Sequence, residues 1–496
     1  MPISLYKRTG RCSHLQWCLF CFIHASAELL LQNIYRHLVL TLIVNQRYFQ
    51  NFRSLIEMLL YCFGFFIYFN FVQIAQSNHI INSEQDCYSN SPMAVRVFLT
   101  VSSLTASTTT KGVVKRHLEV NWVAPLPIRS DRIHIYRVDP VRDPTAIPIL
   151  SLEPIDYPGG YYKTDIELSV HTRNLRVSSK YTCLGYWATY KRISGEMVTS
   201  TCLRTQPKWM SESAYHLAGL QLSEIMIPGS HDSGSFFYRQ EREPFSKYKY
   251  AQEVSIFNQL VYGLRYFDLR VGHYGDKFYI NHNFLRTEHT VKSILHEVHK
   301  FLSLSPKEII ILDFHNFPHG FHNDKIHQKL QKLIVSVLGS HLIPFTDEFE
   351  NATIGDLWEH KKNILLSYDS DTRNSFFPGV FWPSIPRAWG NKQTAEGLKE
   401  YFREFFEKPT PQGLWASMAE ITPNTKSIIL HPVSGLRVLA EKINRNITHW
   451  FRDLYWQKAN IVATDYFLGN DIIDVAIRTN RIKGICPESA WSNMTP

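Results

Sequence analysis

The sequence predicts an α/β protein, in which a TIM-type (β/α) barrel follows a small all-β, sandwich-like domain. Two observations lead to this fold class. Short alternating or β-branched runs separated by turn clusters fill residues 90–207, and strands at this spacing are typical of a β-sandwich. Over residues 215–485 apolar strand runs alternate with helical stretches. Repeated β-α units of this size predict a parallel sheet, most simply a barrel.

The segment that precedes both predicted domains has the features of an export signal. Residues 59–75 carry no charge, and Ala75-Gln76-Ser77 forms a small-x-small cleavage site. Residues 58–77 are therefore expected to be a signal peptide. A membrane anchor is the alternative, because an uncharged run of this length could just span a bilayer. Translation is expected to begin at Met58, with residues 1–57 an extension of the gene model.

Cysteine use agrees with export. Four cysteines follow the apolar run: Cys87, Cys183, Cys202 and Cys486. An even number permits two disulfides, and Cys183 and Cys202 flank a hairpin-like stretch, so they are the first expected pair. Three glycosylation sequons occur, at Asn351, Asn446 and Asn493. The protein is expected to be a secreted or extracellular membrane-associated glycoprotein with disulfides.

The charge balance favours anionic partners without indicating nucleic acid. The formal net charge of the 496 residues is +9, which gives a mild preference for anions such as membrane headgroups. No Lys/Arg-rich run is present. The expected partner is a phospholipid at a membrane surface, with no nucleic acid and with protein partners unspecified.

The predicted barrel carries its chemistry at the carboxyl ends of its strands. The strand runs are "SEIMIPG", "GLRYFDLRV", "KFYINHN", "EIIILDFHN", "NILLSYD", "WASMAEIT" and "ANIVATDYF". In such barrels the catalytic residues come from these ends. The polar residues found there are His231, Asp232, Asp268, Arg270, His282, His315, Asp369 and Asp465. A rim of ordinary polar loop residues is the alternative, whereas no motif for chemistry occurs in the all-β region.

Two histidines and one arginine at the same end of the predicted barrel are suited to phosphodiester cleavage. One imidazole takes a proton from the attacking hydroxyl, and the other gives one to the leaving oxygen. The guanidinium binds the non-bridging oxygens as charge builds up. Asp465, on the last strand, would come beside the first strand in a closed barrel and could fix the tautomer of the base histidine. Arg270 points to the same face of the strand as Asp268. Its positive charge would occupy the place that a metal ion bound to Asp268 would need, so no metal and no other cofactor is expected.

These residues resemble the X domain of phosphatidylinositol-specific phospholipases C. "PGSHDS" is similar to the family's G-[ST]-H-[DN]-[ST] motif around the first catalytic histidine. "GLRYFDLRV" is similar to the second block, and "INHNF" to the block with the second histidine. The resemblance covers about residues 215–480. It is greatest to the small, calcium-independent X-domain-containing proteins, and the upstream region looks like that of extracellular invertebrate members.

The resemblance implies a role for each matched residue. His231 would be the general base, His282 the general acid, and Arg270 the group that stabilises the transition state. Asp232 and Asp268 would support the acid histidine and the arginine, and Asp465 would pair with His231. Bacterial members place a lysine and an arginine after the fourth and fifth strands. Here those regions offer His315, Tyr368 and Asp369 as substrate-binding residues, so the headgroup contacts differ.

The expected activity is a phospholipase C-like phosphoric diester hydrolase acting on a phosphatidylinositol-type lipid. The family reaction would release diacylglycerol and a cyclic inositol phosphate. Two alternatives stay open at this point. One is a catalytically weak X-domain protein that binds phospholipids or inositol phosphates. The other is a metal-dependent, glycerophosphodiesterase-like enzyme, which also uses two histidines on a barrel but needs a cluster of acidic ligands.

Overall fold

The computed structural model describes residues 95–104, 115–168, 175–237, 247–430 and 434–494. Residues Ser83–Pro496 belong to one compact unit. The predicted signal peptide or anchor at 58–77 and the extension at 1–57 lie outside the described residues, and both stay predictions. Within the described ranges, no helix is both long enough and apolar enough to cross a membrane.

The described residues of the all-β region form seven antiparallel strands in two sheets. The strands are β1 Arg96–Val101, β2 His117–Val123, β3 Arg132–Tyr136, β4 Leu150–Leu152, β5 Tyr161–Glu167, β6 Thr182–Lys191 and β7 Met197–Thr205. One sheet has the order β1-β2-β5 and the other the order β4-β3-β6-β7. Alternate apolar residues of both sheets are buried in one cluster, among them Leu118 and Val120 of β2 and Ile133 and Ile135 of β3. The described residues have the all-β, two-sheet arrangement of the predicted fold class, whereas the domain bounds at residues 90–207 stay a prediction.

A disulfide joins the last two strands of this region. Cys183 on β6 is bonded to Cys202 on β7, as expected from the hairpin between them. Cys486 is also disulfide-bonded. The same buried cluster that contains the sandwich core continues into barrel residues such as Leu260 and Phe267. The boundary at residues 207–215 between two separate domains stays a prediction.

The second region alternates strands and helices. Its strands are β8 Ile227–Ser230, β9 Tyr266–Tyr274, β10 Lys277–His282, β11 Leu285–Thr290, β12 Ile310–His319, β13 Ile364–Tyr368, β14 Arg387–Trp389, β15 Ala416–Met418 and β16 Ile461–Thr464. The helices of the described residues are α1 Trp209–Glu212, α2 Ala214–Leu217, α3 Ile256–Tyr262, α4 Val291–Leu304, α5 Asp324–Leu338, α6 Asp347–Glu350, α7 Ile354–Glu359, α8 Ala395–Glu407, α9 Thr425–Leu430, α10 Gly435–His449 and α11 Ile472–Ile485.

Seven of these strands form a parallel array in the order β13-β12-β9-β8-β16-β15-β14. The first strand, β8, therefore lies between β9 and the last strand, β16, as a barrel requires. Trp382 continues the sheet beyond β13 through backbone hydrogen bonds with Leu366 and Tyr368. Between β13 and β14 the described residues show no ladder. The α/β class with a parallel sheet is confirmed, and full closure of the barrel stays a prediction.

One strand of the predicted parallel series runs the other way. β10 pairs with β9 in antiparallel register, with Val271 opposite Ile280. The two strands are separated by only Gly275 and Asp276, and parallel neighbours need a crossover of a dozen or more residues. β10 thus runs back alongside the second half of β9. His282, at the end of β10, therefore lies close to Leu269 and Arg270 of β9.

Candidate active site

His231 and Asp232 follow β8 directly, in a turn that neighbouring strands hold in place. Asp232 has a φ of 41°, in the left-handed region, and its backbone N–H donates to Asp268 Oδ2 at 2.9 Å. The Gln252 amide donates to the carbonyl oxygens of His231 and Thr464 at 2.9 and 2.8 Å. Because these buried backbone groups are all paired, the direction in which both side chains leave the turn is fixed.

The His231 ring lies between a carboxylate and a guanidinium. Its Nδ1 is 2.8 Å from Asp465 Oδ1, and its Nε2 is 2.6 Å from Arg270 Nη2. Because a guanidinium can only donate, the second contact needs a proton-free Nε2, which leaves the ring proton on Nδ1 facing Asp465. Burial opposes a positive charge on the ring, yet the Glu420 and Asp465 carboxylates raise the pKa of His231 to about 9. In its neutral form His231 thus presents a lone pair at Nε2, in surroundings that retain a captured proton, and this suits a general base.

Asp268 lies behind His231 and holds two cationic or basic side chains. Arg270 Nη2 donates to Asp268 Oδ2 at 3.0 Å, and His315 Nδ1 lies 2.8 Å from Asp268 Oδ1. Burial alone would raise the pKa of Asp268, but Arg270 and His315 hold it well below its usual range. Burial likewise opposes the charge of Arg270, while Asp268 and Asp232 raise the pKa of the guanidinium above its ordinary value. Arg270 is therefore a fixed cation.

His282 faces His231 from β10 in a different electrostatic setting. The two ring centroids are 6.3 Å apart, with planes at 87°. His282 Nε2 lies 3.8 Å from Asp232 Oδ2. Burial, together with the charges of Arg270 and His231, lowers the pKa of His282 to about 3, and burial raises the pKa of Asp232 to about 7. His282 becomes an effective acid only when a bound anion restores its affinity for a proton.

A cavity of about 820 Å³ brings the predicted residues together. Its walls include His231, Arg270, His282, His315 and Asp465. The carboxyl groups of Asp232 and Asp268 are fully buried behind these side chains. A single space thus offers two imidazoles, one guanidinium and one histidine-bound carboxylate, which is the set of groups that acid–base cleavage of a phosphodiester uses.

Two of the predicted substrate-binding residues lie elsewhere. Tyr368 is 1% exposed, and its hydroxyl group is 2.8 Å from His327 Nδ1, on the side of β13 that faces helix α5. Asp369 is partly exposed, and its Oδ2 accepts from Arg387 Nη2 at 3.2 Å. Both line a shallower pocket beside Phe317. Of the three predicted substrate-binding residues, the structure brings His315 alone into the cavity, and the binding roles stay predictions.

Two charged residues of the cavity were not predicted from the sequence. Arg387, on β14, donates to Asp313 Oδ2 at 2.9 Å and contributes to the cavity wall. Glu420 follows β15, is 3% exposed, and also lines the cavity. Burial raises the pKa of Glu420 to about 7. Glu420 follows the carboxyl end of β15, where the other site residues were also found, whereas Arg387 begins β14 and carries no such signal.

Exposed apolar side chains surround the mouth of the cavity. Phe284 is 82% exposed and Trp389 is 52% exposed, and both contribute to the cavity wall. Ile429 and Leu430, at the end of α9, are also exposed and follow the cavity residue Ile428. Apolar side chains grouped at the entrance of a polar site commonly mark a surface that contacts a membrane or another apolar partner.

No group of three or more His, Cys, Asp or Glu side chains in the described part of the chain is arranged to hold a metal ion. Instead, the oxygens of Asp268 are taken up by protein donors: Arg270 and the Asp232 backbone on Oδ2, and His315 beside Oδ1.

Comparison with known proteins gives relatives over about half of the chain. No family model matches. Among solved structures, a phosphatidylinositol-specific phospholipase C from Staphylococcus aureus aligns with 56% of this chain and 97% of its own, at 18% identity and a TM-score of 0.42. The phosphatidylinositol-specific phospholipase C from Listeria monocytogenes aligns with 56% of this chain and 98% of its own, at 19% identity and a TM-score of 0.43.

The curated relatives are closer in sequence. PI-PLC X domain-containing protein 2 from Homo sapiens is 30% identical over 270 residues, which are 49% of this chain and 86% of that protein. PI-PLC X domain-containing protein 1 from Mus musculus is 27% identical over 304 residues, which are 55% of this chain and 86% of that protein. The similarity therefore extends over most of each relative.

Proposed function

Since the chain belongs to the family of PI-PLC X domain-containing proteins, we propose that it is a phosphoric diester hydrolase that cleaves a phosphatidylinositol-type lipid as a phospholipase C does. One observation carries the proposal. His231 and His282 lie with their ring centroids 6.3 Å apart in a cavity that also contains the fixed cation Arg270. A base, an acid and an anion-binding group then surround one space of a size that accommodates a lipid headgroup.

In the proposed reaction the lipid phosphate binds beside Arg270, whose N–H groups bind the non-bridging oxygens. His231 Nε2 removes the proton of the inositol 2-hydroxyl, and that oxygen attacks phosphorus. His282 donates a proton to the glycerol oxygen as the bond from phosphorus to that oxygen breaks. The products are diacylglycerol and a cyclic inositol phosphate. Each proton transfer contributes about 10² to 10⁴ in rate.

The supporting residues act through these three groups. Asp465 keeps the His231 proton on Nδ1 and stabilises the imidazolium that forms. Asp268 fixes the direction of Arg270, and Asp232 faces His282. The predicted headgroup roles of His315, Tyr368 and Asp369 remain part of the proposal. Asp369 would act through Arg387, to which it is bonded.

We further propose that turnover needs no metal ion. The groups around Asp268 support this: Arg270 donates to both of its oxygens, the Asp232 backbone donates to Oδ2, and His315 lies beside Oδ1. A divalent cation at this point would have to displace a charged guanidinium. The positive charge that would stabilise the transition state is thus part of the chain itself.

The proposed place of action is an extracellular membrane surface. The Cys183–Cys202 disulfide supports an oxidising compartment. The exposed apolar residues around the cavity mouth, Phe284 and Trp389 among them, support contact with a lipid surface. Aromatic side chains are favoured at the boundary between headgroups and acyl chains. Secretion, the signal peptide and glycosylation belong to the same proposal.

The test is to incubate purified protein with phosphatidylinositol vesicles in EDTA and to follow diacylglycerol and cyclic inositol phosphate. Release of both products in EDTA is the expected result. Activity only after addition of calcium or magnesium would reject the metal-free mechanism and favour a glycerophosphodiesterase-like enzyme. Vesicle binding without turnover under any of these conditions would favour a catalytically weak phospholipid-binding protein. The low pKa of His282 would agree with that outcome, because a ring that holds its proton weakly is mostly neutral and has no proton to donate.

A further inference from the structure

Glu420 is a buried carboxyl group of the cavity that the proposed reaction does not use. It follows β15, is 3% exposed, and lines the same cavity as His231 and Arg270. Its Oε2 is buried and has no hydrogen-bond partner among the described residues. A buried polar atom left without a partner costs free energy, and a ligand that supplies a donor removes that cost. Glu420 therefore points to a donor on the substrate.

The charges around Glu420 decide which kind of donor fits. Its carboxyl group is acted on by the positive charges of His231 and Arg270. A ligand ammonium placed against Glu420 would also lie near the Arg270 guanidinium and, when His231 is protonated, near a second cation, and both would repel it. A neutral hydroxyl group meets no such repulsion and still donates a hydrogen bond to the carboxylate. The surroundings thus favour a hydroxyl donor over the amine of an ethanolamine or choline-type headgroup.

The position of that hydroxyl follows from the reaction geometry. In the proposed function the phosphate lies beside Arg270 and the attacking hydroxyl lies at His231 Nε2. Glu420 shares the cavity with both of these groups. We propose that Glu420 accepts a hydrogen bond from the headgroup hydroxyl adjacent to the attacking one, and so selects lipids whose headgroup carries vicinal hydroxyls. This inference rests on the proposed function and extends it to a specificity residue.

The experiment compares two substrates and three variants. Vesicles contain either phosphatidylinositol or its 3-deoxy analogue, which lacks the hydroxyl next to the attacking one. Glu420→Ala removes the acceptor, and Glu420→Gln keeps the shape without the charge. Glu297→Gln, a change at a largely buried glutamate on α4 whose carboxylate accepts from the Phe257 N–H, is the matched control. Circular dichroism melting confirms that each variant is folded.

The hydrogen bond predicts a specific pattern of rates. With phosphatidylinositol, kcat/KM of Glu420→Ala falls by roughly 10- to 100-fold, with a smaller fall for Glu420→Gln. With the 3-deoxy lipid the unchanged protein is already slower by a similar factor, and the Glu420 variants lose little more. Equal losses on both lipids would overturn the inference, because Glu420 would then act only through the charge of His231. No cleavage of either lipid by the unchanged protein would instead reject the proposed function and, with it, this inference.

Discussion

At the scale of single residues, His231 and His282 share a cavity but differ in their affinity for a proton. Burial disfavours the charged form of both rings. Two carboxylates outweigh burial at His231 and raise its pKa to about 9, whereas Arg270 adds to burial at His282 and lowers its pKa to about 3. His231 therefore retains a proton, whereas His282 releases one. A bound phosphodiester anion shifts the pKa values of both histidines upward.

Replacement of Asp465 by Asn tests this electrostatic account. The pH dependence of kcat/KM reports the free protein. On an inositol phosphodiester with a nitrophenolate leaving group, which needs no acid, the rate of the unchanged protein should rise with pH as His231 loses its proton near its raised pKa of about 9. Loss of the carboxylate lowers that pKa, so in Asp465→Asn the rise is complete at lower pH. The rate at the optimum should fall by about 10² to 10⁴, since the ring tautomer is no longer fixed. An unchanged midpoint would mean that Asp465 does not act on His231.

At the scale of secondary-structure elements, the site depends on how closely β8 and β9 approach each other. The two strands are parallel neighbours, with Gly229 opposite Tyr266. A Cβ atom on Gly229 would lie 2.7 Å from Tyr266 Cδ1 and 3.0 Å from its Cβ, and Tyr266 is fully buried. The absence of a side chain at Gly229 thus sets the spacing that places His231 two residues later against Arg270.

Gly229→Ala should therefore destabilise the protein by about 1 to 3 kcal/mol, because the clash falls on a side chain with no free space. Chemical denaturation followed by circular dichroism measures the change. Gly219→Ala is the matched control, since a Cβ there meets no heavy atom within 4 Å. Equal stability of the two variants would show that the β8–β9 spacing is not constrained in this way.

The sequence pattern predicts strand ends better than strand faces. The positions of His231 and Asp465 follow from the rule that the carboxyl ends of parallel strands meet at one edge, whereas His282 reaches the same cavity on the antiparallel strand β10. Tyr368 is predicted to bind substrate because it lies in a region where the bacterial members of the resembled family place a headgroup-binding residue. However, successive residues of a strand face opposite sides: Ser367 donates to Asp313 inside the sheet, while Tyr368 bonds His327 outside it. Glu420 was missed because β15 is only three residues long and gives no clear alternation.

At the scale of the whole molecule, the all-β region is bonded to the elements that hold the site. Asn444 Nδ2 lies 3.1 Å from Ser103 Oγ and 3.2 Å from the carbonyl oxygen of Asp465. Arg116 forms a buried ion pair with Glu253, the residue after the Gln252 that bonds the His231 carbonyl. The contacts made by Ser103 and Arg116 join residues more than 100 positions apart, so no local sequence pattern could have predicted them.

Arg116→Ala should destabilise the protein by about 2 to 4 kcal/mol, because the buried carboxylate of Glu253 would lose its nearer ion-pair partner. Arg437, whose Nη1 lies 3.5 Å from Glu253 Oε2, would remain as a more distant partner. Denaturant titration measures the loss. Lys115→Ala is the matched control. It removes a partly exposed ion pair with Glu167, for which a change of about 0 to 1 kcal/mol is expected. Similar losses in both variants would contradict a structural link through Arg116.

The central claim is that His231 and His282 act as base and acid in one cavity. The most direct measurement is the rate of cyclic inositol phosphate release by the unchanged protein, His231→Ala and His282→Ala, with His296→Ala on the exposed face of α4 as control. Two substrates are compared: phosphatidylinositol, and an inositol phosphodiester with a nitrophenolate leaving group, which needs no acid. Both histidine variants should fail on the lipid, and His282→Ala alone should recover on the nitrophenyl ester. Turnover of the lipid by either variant, or recovery of His231→Ala on the ester, would contradict the assigned roles.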